Sequence, residues 1–279
     1  MSTATVSLQS ATRFEQYLRE NEKSPLTVEK YLRDVKSFCR FVKGNEVTKQ
    51  TVLAFKRHLG EQYAPASVNS ILVAVNGFLS FLGKDDCKVK LQKIQRRIFC
   101  KEEKELTPGE YRRLLAAARG TTLELVIRTI CETGIRVSEL KFITVESLTA
   151  GEATVHCKNK TRSILLPKNL QKTLRTYAKK TGIRKGTIFR SRNGNPLNRS
   201  CIWRSMKRLC KKAGVAPGKV FPHNLRHLFA RTFYTMERDI VRLADLLGHS
   251  SINTTRIYTV ETGVQHRACL EKLYKRLNT

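Results

Sequence analysis

Two histidines, an arginine and a tyrosine lie near the C-terminal end of the sequence, and their side chains could carry out chemistry on a phosphate ester. The stretch begins with His223 and Arg226, continues to His249, and ends at Tyr258. A guanidinium can neutralise phosphate charge, an imidazole can donate or accept a proton, and a phenolic oxygen can serve as a nucleophile. This combination of residue types indicates phosphate chemistry.

The segments around these residues have the apolar spacing of helices, which would hold the side chains rigidly. A buried helical stripe is predicted from Ile240, Leu243, Leu246 and Leu247. Gly248 is predicted to end this helix in a left-handed conformation, which places His249 at a defined helix exit. Ser250 or Ser251 could cap a second short helix that carries Tyr258. Taken singly, such a tyrosine usually packs in a core and such a histidine usually caps a helix, so only the combination indicates a site.

The combination resembles the C-terminal signature of the tyrosine recombinases, the phage integrase family, in which His-x-x-Arg-His is followed by Leu-Gly-His and then by Tyr. Upstream, residues 132–140 read Glu-Thr-Gly-Ile-Arg-Val-Ser-Glu-Leu. They are similar to that family's first arginine box, Thr-Gly-hydrophobe-Arg-x-x-Glu-hydrophobe. Two distant motifs in the family's order are a specific signal, and the similarity extends over almost the whole chain. The resemblance implies that the catalytic residues include Arg136, His223, Arg226, His249 and Tyr258.

A further catalytic residue is implied on a β-hairpin. Residues 153–157 and 163–167 are predicted to form two strands that are joined through residues 158–161. In tyrosine recombinases a hairpin at this place delivers a mobile lysine to the leaving oxygen, and the resemblance implies that Lys158 has this role. The family's common Gly-Lys-Gly is replaced here by Cys-Lys-Asn, and the distance to the following proline differs. Lys160 therefore stays an alternative.

The resemblance also implies a mechanism in which no metal or other cofactor takes part. Tyr258 would attack the phosphodiester and form a 3′-phosphotyrosyl link, while the two motif arginines and His249 stabilise the transition state. Lys158 would protonate the departing 5′-oxygen, and His223 would act as base or positioning group near the tyrosine. The predicted protein is a site-specific recombinase or integrase that cleaves and rejoins duplex DNA through a Holliday junction, without metal or ATP.

Three other functions fit the residues less well. A type IB topoisomerase would share this site but reseal the same strand, and the N-terminal domain and terminal helix described below favour a recombinase. A DNA-binding regulator that has lost catalysis would not need the complete catalytic set. A metal hydrolase built on His223, His227 and His249 lacks the H-E-x-x-H motif and a carboxylate at ligand spacing.

The composition points to a polyanionic partner. The chain has 279 residues, enough for two domains, and its 53 Lys and Arg against 23 Asp and Glu give a formal net charge of +30. Because the basic residues are spread along the chain, a polyanion is the simplest predicted partner. The charge favours double-stranded DNA only slightly, since a basic surface can also bind membranes or ribosomes. The eight cysteines show no C-x-x-C pair or zinc-like spacing and are predicted to be reduced thiols. With no secretory h-region and no membrane-length apolar run, we expect a cytoplasmic, nucleoid-associated protein of bacterial or phage origin.

The predicted fold is mainly α, with two domains. Residues 1–86 contain four helices with apolar stripes and resemble the SAM-like core-binding domain of tyrosine recombinases, one half of a clamp around the duplex. Residues 87–105 are predicted to be a basic linker. Residues 106–279 are predicted to form a mostly helical catalytic domain with a small β-hairpin or sheet, opened by the capping box at residues 107–110. Side chains expected to contact DNA, each of which could equally be a solvated surface residue, are Lys30, Arg33, Lys36, Lys56, Arg57, Lys93, Arg96, Arg97, Arg204, Lys207 and Arg208.

The last segment of the sequence indicates assembly. Apolar residues between positions 264 and 277 predict a terminal helix, and the family resemblance implies that it docks on a neighbouring protomer in a DNA-bound tetramer. Packing against its own domain is the alternative. Few residues precede the first helix, so the resemblance is to Xer-type or mobile-element recombinases without an arm-binding domain.

Overall fold

The computed structural model describes residues 7–94, 104–157, 160–258, 271 and 273–278. In these ranges the chain is mainly helical and contains one two-stranded antiparallel sheet. The predicted fold class, mainly α with a small β-hairpin, is confirmed. The chain divides into two compact units, Met1–Arg96 and Arg97–Thr279. Along the described ranges, no helix is both long and apolar enough to cross a membrane.

The first unit is built on four amphipathic helices. They are α1 Leu8–Glu20, α2 Pro25–Val42, α3 Lys49–Gln62 and α4 Pro65–Phe81. Each of the first three begins at a Ser or Thr whose side chain accepts a hydrogen bond from a backbone N–H of the first helical turn. Their apolar faces enclose a core of aromatic rings, each at most 1% exposed: Phe14, Phe38, Phe55 and Phe78.

The beginning of the basic segment at residues 87–105 packs on this first unit. Cys87 and Val89 are each 4% exposed and belong to the unit's apolar core. The amide of Asn76 exchanges two hydrogen bonds with the backbone of Val89, at 2.9 and 3.1 Å. The amide of Asn69 binds the backbone of Gln92 in the same way, at 2.9 and 2.8 Å. Two side-chain amides thus hold the chain against α4 as far as residue 92.

The second unit surrounds a central helix. Its elements in chain order are α5 Pro108–Ala118, α6 Thr122–Thr133, α7 Val145–Ala150, β1 Glu152–Cys157, β2 Lys160–Leu165, α8 Lys168–Lys180, α9 Arg199–Ala213, α10 Pro222–Glu237, α11 Ile240–Leu247 and α12 Ile252–Thr255. The helix α6 packs against α5, α8, α9 and α10. Its apolar residues Val126, Ile127 and Ile130 are fully buried, so α6 is the element on which the others assemble.

The two strands pair along their whole length, with Glu152 opposite Leu165 and Cys157 opposite Lys160. The sequence predicted the hairpin but placed the start of its second strand at residue 163, and this was wrong: β2 begins at Lys160. The antiparallel pairing extends to the positions that flank residues 158 and 159, because the polar residues there also form ladder hydrogen bonds. The prediction used the alternation of apolar residues, and this signal cannot detect a strand end made of polar residues.

The end of α6 is a crowded junction with α10 and α11. Gly134 caps α6 in the left-handed region, with φ +65°. A Cβ atom added there would lie 2.5 Å from Cδ1 of Phe229 on α10 and 3.1 Å from Cδ2 of Leu247 on α11. Glycine is therefore required at this position both by backbone conformation and by the close approach of the two helices.

We expect Gly134→Ala to destabilise the second unit by about 2 to 4 kcal/mol, because it combines left-handed strain with overpacking. Gly120→Ala is the matched control, since Gly120 has φ +78° but nothing within 4 Å of an added Cβ. The control should lose only about 1 kcal/mol from backbone strain. Urea denaturation of both variants measures the difference, and equal losses would show that the contacts with Phe229 and Leu247 do not matter.

Candidate active site

A buried guanidinium lies at the centre of the site. Arg226 is in the second turn of α10 and is only 2% exposed. It donates hydrogen bonds to the carbonyl oxygen of Gly134, at the end of α6, and to that of Leu247, at the end of α11, the latter at 2.8 Å. Carbonyl groups at helix C-termini lack intrahelical partners and carry the negative end of the helix dipole. They therefore satisfy the buried cation without neutralising it by an ion pair.

The charge of Arg226 is kept in spite of burial. Burial lowers the pKa of Arg226, and the neighbouring Arg136 lowers it further, to about 10, while Tyr258 opposes this fall through a side-chain hydrogen bond. A pKa of about 10 leaves the guanidinium protonated at neutral pH. The site thus contains a fixed positive charge that is mostly hidden from water.

A second group of charges lies beside it. Glu139, 2% exposed, accepts a hydrogen bond on Oε1 from Arg136 at 2.9 Å and one on Oε2 from Arg162 at 2.6 Å. It also accepts the backbone N–H of Arg136 at 2.9 Å. Burial alone would raise the pKa of Glu139, but the backbone N–H of Arg136 and the two guanidinium groups outweigh it and lower that pKa. The carboxylate therefore stays ionised and fixes both arginines.

Arg162 was not predicted as a site residue. It occupies β2 on the same face as the buried Ile164, whereas Ser163 and Leu165 are exposed. A charged residue on the buried face of a strand requires a partner, and this pattern was the available signal. The partner, Glu139, is 23 positions away in the chain, so spacing alone could not have identified it.

His249 leaves α11 in a fixed orientation. Gly248 has φ +62°, and the backbone N–H of His249 donates to the carbonyl of Ala244 at 3.0 Å, which closes the helix end. The ring atom Nε2 lies 3.0 Å from Nη2 of Arg226, and Nδ1 lies 2.9 Å from the hydroxyl of Thr255. Because a guanidinium only donates, Nε2 accepts, and Nδ1 carries the ring proton and donates it to Thr255. Burial and the nearby arginines lower the pKa of His249 to about 4, which agrees with a neutral ring.

Tyr258 is buried against the same group. It follows α12 in a short 3₁₀ turn and is 3% exposed. Its ring stacks on that of His249, with centroids 5.9 Å apart and planes 14° apart, and it meets the ring of His227 edge-on at 4.6 Å. The ring of His223, which is exposed, meets His227 at 4.6 Å on the other side. Partial burial and the charges of Arg226, Arg136 and Arg199 lower the pKa of His223.

A cavity of about 610 Å³ opens in front of these side chains. One wall carries Arg136, His223 and Arg226, and the wall formed by α9 carries Arg199, Trp203 and Arg204. Arg162, His249 and Tyr258 are not among the lining residues. The cavity is positively charged on both sides, and two large aromatic residues, Trp203 and Phe221, are part of its lining.

Five residues named from the motifs thus come together in one protomer: Arg136, His223, Arg226, His249 and Tyr258. Lys158 lies outside the described residues. Lys160 is the first residue of β2, and only its backbone is described. Among the described residues, no group of three or more His, Cys, Asp or Glu side chains could hold a metal ion.

The basic residues expected to contact DNA have different environments. Lys30 pairs with the buried Asp34 at 2.9 Å, and Lys56 donates to the carbonyl of Lys90 at 2.7 Å. Lys207 binds the carbonyl of Pro217 and lies over the ring of Trp203. The exposed members are Arg33, Lys36, Arg57, Lys93, Arg204 and Arg208. Arg96 and Arg97 lie outside the described residues.

The chain matches two family models. The phage integrase family model matches residues 104–263, and the model of the phage integrase N-terminal SAM-like domain matches residues 11–85. The chain is 30% identical to the tyrosine recombinase XerA of Thermococcus kodakarensis, over 93% of each chain. It is 28% identical to the tyrosine recombinase XerD of Halalkalibacterium halodurans, over 96% of this chain and 97% of that one.

Solved structures show the same architecture. A crystal structure of XerA recombinase is 26% identical, with a TM-score of 0.53, and the alignment covers 97% of this chain and 98% of that one. A lambda integrase dimer bound to a COC′ core site is 21% identical, with a TM-score of 0.73, over 92% of this chain and 78% of that one. Because the identity to lambda integrase is only 21%, this comparison shows similarity of fold alone.

We expect Glu139→Gln to reduce the free energy of unfolding by about 3 kcal/mol, because it leaves two guanidinium groups without their buried counter-charge. Glu132→Gln is the control, since Glu132 pairs with Arg128 on the partly exposed surface of α6. Its loss should stay below about 1 kcal/mol. Urea denaturation at neutral pH measures both, and a Glu139→Gln loss as small as that of the control would contradict the role of the carboxylate.

We expect the stability to fall in mild acid in part through His227, whose pKa burial and the nearby His223 and Arg226 lower from 6.5 to about 4. Between these pH values the unfolded chain binds more protons at this ring than the folded chain, so stability decreases as the pH falls. Between pH 7 and pH 5 the ring contributes up to about 2 kcal/mol to this decrease. His227→Asn should therefore show a smaller pH dependence in urea denaturation than wild type, and identical slopes would contradict the lowered pKa.

Proposed function

The chain belongs to the phage integrase family, and from that premise we propose that it is a site-specific tyrosine recombinase that cleaves and rejoins duplex DNA. The proposed reaction passes through a 3′-phosphotyrosyl intermediate and a Holliday junction, without metal or ATP. The observation that carries the proposal is the burial of Tyr258 against His249 and Arg226 within one protomer. A nucleophile, two arginines and two histidines from distant parts of the chain would otherwise have no reason to lie in one cluster.

The proposed attack conserves the energy of the phosphodiester. The phenolic oxygen of Tyr258 bonds to phosphorus, the bond from phosphorus to the 5′-oxygen breaks, and the strand end stays attached to the protein. The phenolic proton passes to His223 as base, and the departing oxygen receives a proton from Lys158, with Lys160 as the alternative donor. A water molecule is not consumed, so reversal of the same steps rejoins a strand.

The two arginines have different parts in this proposal. Arg226 is held by the carbonyls of Gly134 and Leu247 and provides fixed charge, so it need not reorganise when charge develops on the phosphate. The side chain of Arg136 is 38% exposed, and its Nη2 has only a long contact of 3.5 Å with the carbonyl of Gly248. It can therefore turn toward a phosphate oxygen while Glu139 holds its other nitrogen. In this role the arginines do what a divalent metal does in other phosphoryl-transfer sites.

His249 must change its hydrogen bonds to take part. In the free protein its Nε2 accepts from Arg226 and cannot donate to a phosphate. A phosphate oxygen that entered between them would accept the hydrogen bond of the guanidinium and favour the tautomer with the proton on Nε2. The hydroxyl of Thr255, 2.9 Å from Nδ1, can then become the donor in that bond, because a hydroxyl both donates and accepts. The tautomer change therefore needs no movement of the backbone.

Binding to duplex DNA is proposed from the charge of both units. We propose residues 1–86 as the core-binding domain, 87–105 as the linker and 106–279 as the catalytic domain. The exposed candidates Lys36 and Arg57 are better placed for phosphate contacts than Lys30 and Lys56, which already bind protein groups. Arg33 is exposed but pairs with Asp34 at 3.4 Å. On α9, Arg204 and Arg208 extend the positive wall of the cavity.

Assembly into a tetramer on DNA is proposed through the C-terminal segment. In its described part, Leu273, Tyr274 and Leu277 are 51%, 66% and 75% exposed. Apolar side chains displayed in this number on one short helical segment favour docking on a second protomer over packing on their own unit. The relatives named above come from an archaeon and a bacterium, so we propose a prokaryotic or phage origin and action in the cytoplasm at the nucleoid.

The proposal is tested with nicked suicide duplexes, which trap the covalent complex because the cleaved fragment diffuses away. A library with a randomised core supplies the unknown site, and protein-linked DNA that survives detergent is sequenced. We expect wild type to accumulate a protease-sensitive adduct and Tyr258→Phe to form none, with unchanged DNA binding. Tyr234→Phe, which alters a tyrosine packed in the same apolar cluster, is the control and should keep the adduct.

An adduct that persists in Tyr258→Phe would refute the assignment of the nucleophile. Binding of the library by wild type without any adduct would favour the alternative of a catalytically idle DNA-binding regulator. With the selected site, joining of strands from two duplexes identifies a recombinase. Relaxation of supercoiled DNA without strand exchange would instead identify a type IB topoisomerase.

A further inference from the structure

Arg162 is a largely buried guanidinium beside the site to which the proposed chemistry assigns no role. Its side chain is 15% exposed, on the face of β2 that also carries the buried Ile164. Directly across the sheet lies Val155, which is 1% exposed. An apolar residue in the place of Arg162 would fit this face equally well, so packing of the sheet does not explain an arginine there.

Three contacts join Arg162 to two other segments of the chain. Its Nη2 donates to Oε2 of Glu139 at 2.6 Å, and its Nη1 donates to the carbonyl of Leu246 on α11, also at 2.6 Å. Its aliphatic part runs past Gly248, where an added Cβ would lie 2.3 Å from Cδ. Gly248 therefore leaves the space that the arginine occupies. The side chain connects β2 to the carboxylate that holds Arg136 and to the helix exit that orients His249.

Arg162 lies on the hairpin close in sequence to the lysines proposed as proton donors. It is four residues after Lys158 and two after Lys160, on the strand that returns from the segment bearing the proposed proton donor. Hydrogen bonds between β1 and β2 fix the strands to each other, with Cys157 opposite Lys160. The contacts of Arg162 with Glu139 and Leu246 therefore attach the hairpin to the segments that hold Arg136 and His249. The attachment lies near the end of the hairpin where the two lysines occur in the sequence.

We propose that Arg162 is a positioning residue that sets the distance between the hairpin lysine and the leaving 5′-oxygen. This inference rests on the proposed function and adds a residue to it. Arg162 acts through the lysine and not on the phosphate, because both of its Nη groups are engaged by protein oxygens. Glu139 then has two tasks, since one oxygen orients a phosphate-binding arginine and the other anchors the hairpin.

The test compares two leaving groups at the site selected above. With the natural linkage, the bond from phosphorus to the 5′-oxygen breaks and the alkoxide needs a proton from the lysine. With a bridging 5′-phosphorothiolate, the bond from phosphorus to sulfur breaks and the thiolate leaves without a proton. A defect in the proton donor or its placement is therefore rescued by sulfur, whereas a defect in binding the phosphate is not.

We expect Arg162→Ala to slow cleavage of the oxygen substrate about 100-fold, the usual contribution of a placed general acid, and to slow the sulfur substrate less than about threefold. Lys158→Ala and Lys160→Ala are compared under the same conditions, and the one rescued by sulfur identifies the proton donor. Arg226→Ala is the opposite control and should be slow on both substrates. Arg162→Lys keeps the charge but cannot reach Glu139 and Leu246 together, and should give a smaller loss with the same rescue.

An equal loss on both substrates, in Arg162→Ala or in Arg162→Lys, would overturn the positioning role and indicate a phosphate contact or a general disturbance of the site. Full activity of both variants on the oxygen substrate would overturn it as well. Thermal unfolding of each variant shows whether it is folded. If Arg162→Ala folds poorly, the comparison of the two substrates is made with Arg162→Lys. Failure of wild type to cleave the sulfur substrate, or cleavage by Tyr258→Phe, refutes the proposed function itself and is distinct from either outcome.

Discussion

The site depends on one constraint, the burial of a positive charge that no carboxylate neutralises. In the described contacts, Arg226 binds the carbonyl oxygens of Gly134 and Leu247 and the ring of His249. Helix-terminal carbonyls satisfy its hydrogen bonds but carry only partial charge. A buried cation of this kind is held in place while its field remains available to an incoming anion. The ends of α6 and α11 must meet at Arg226 for this to work, which explains why a glycine occupies their junction.

Two further arginines of the site differ from Arg226, because a buried carboxylate pairs with both of them. Arg136 and Arg162 share Glu139, and with Arg226 these three guanidiniums and one carboxylate leave two positive charges, to which Arg199 and Arg204 on the wall formed by α9 add two more. The lowered pKa values keep the nearby imidazoles neutral near pH 7 and add nothing to this sum. In the proposed reaction this positive excess would stabilise a phosphodiester as it gains a second negative charge in the transition state. Glu139 prevents a larger excess, which would make the free protein less stable through mutual repulsion.

Sequence reasoning named most residues that the structure brings together in the candidate site, because the motifs that contain them are local. The helix end at Gly248, the capping box formed by Thr107 and Glu110 and the hairpin all depend on residues only a few positions apart. Arg162 contacts residues that are 23 and 84 positions away in the sequence, and no short sequence pattern predicts such contacts. In the same way, Asp34, the buried partner of Lys30, sits on the inner side of α2, which charge counting cannot distinguish from the outer one. What sequence missed is the pairing of charges across elements, since pairing depends on the assembled fold.

The hydrogen bond between Arg226 and His249 joins two side chains that the proposed reaction assigns to the phosphate. The guanidinium donates to an imidazole whose pKa is already low, a weaker acceptor than an anionic phosphate oxygen. Substitution of one acceptor by the other strengthens the bond of Arg226 and releases Nε2 of His249 to bind the same anion. Stacked on that imidazole, the ring of Tyr258 would feel the change directly. In the proposed reaction, entry of the scissile phosphate and alignment of the nucleophile would be parts of one rearrangement, confined to side chains whose backbone is already fixed by helix ends.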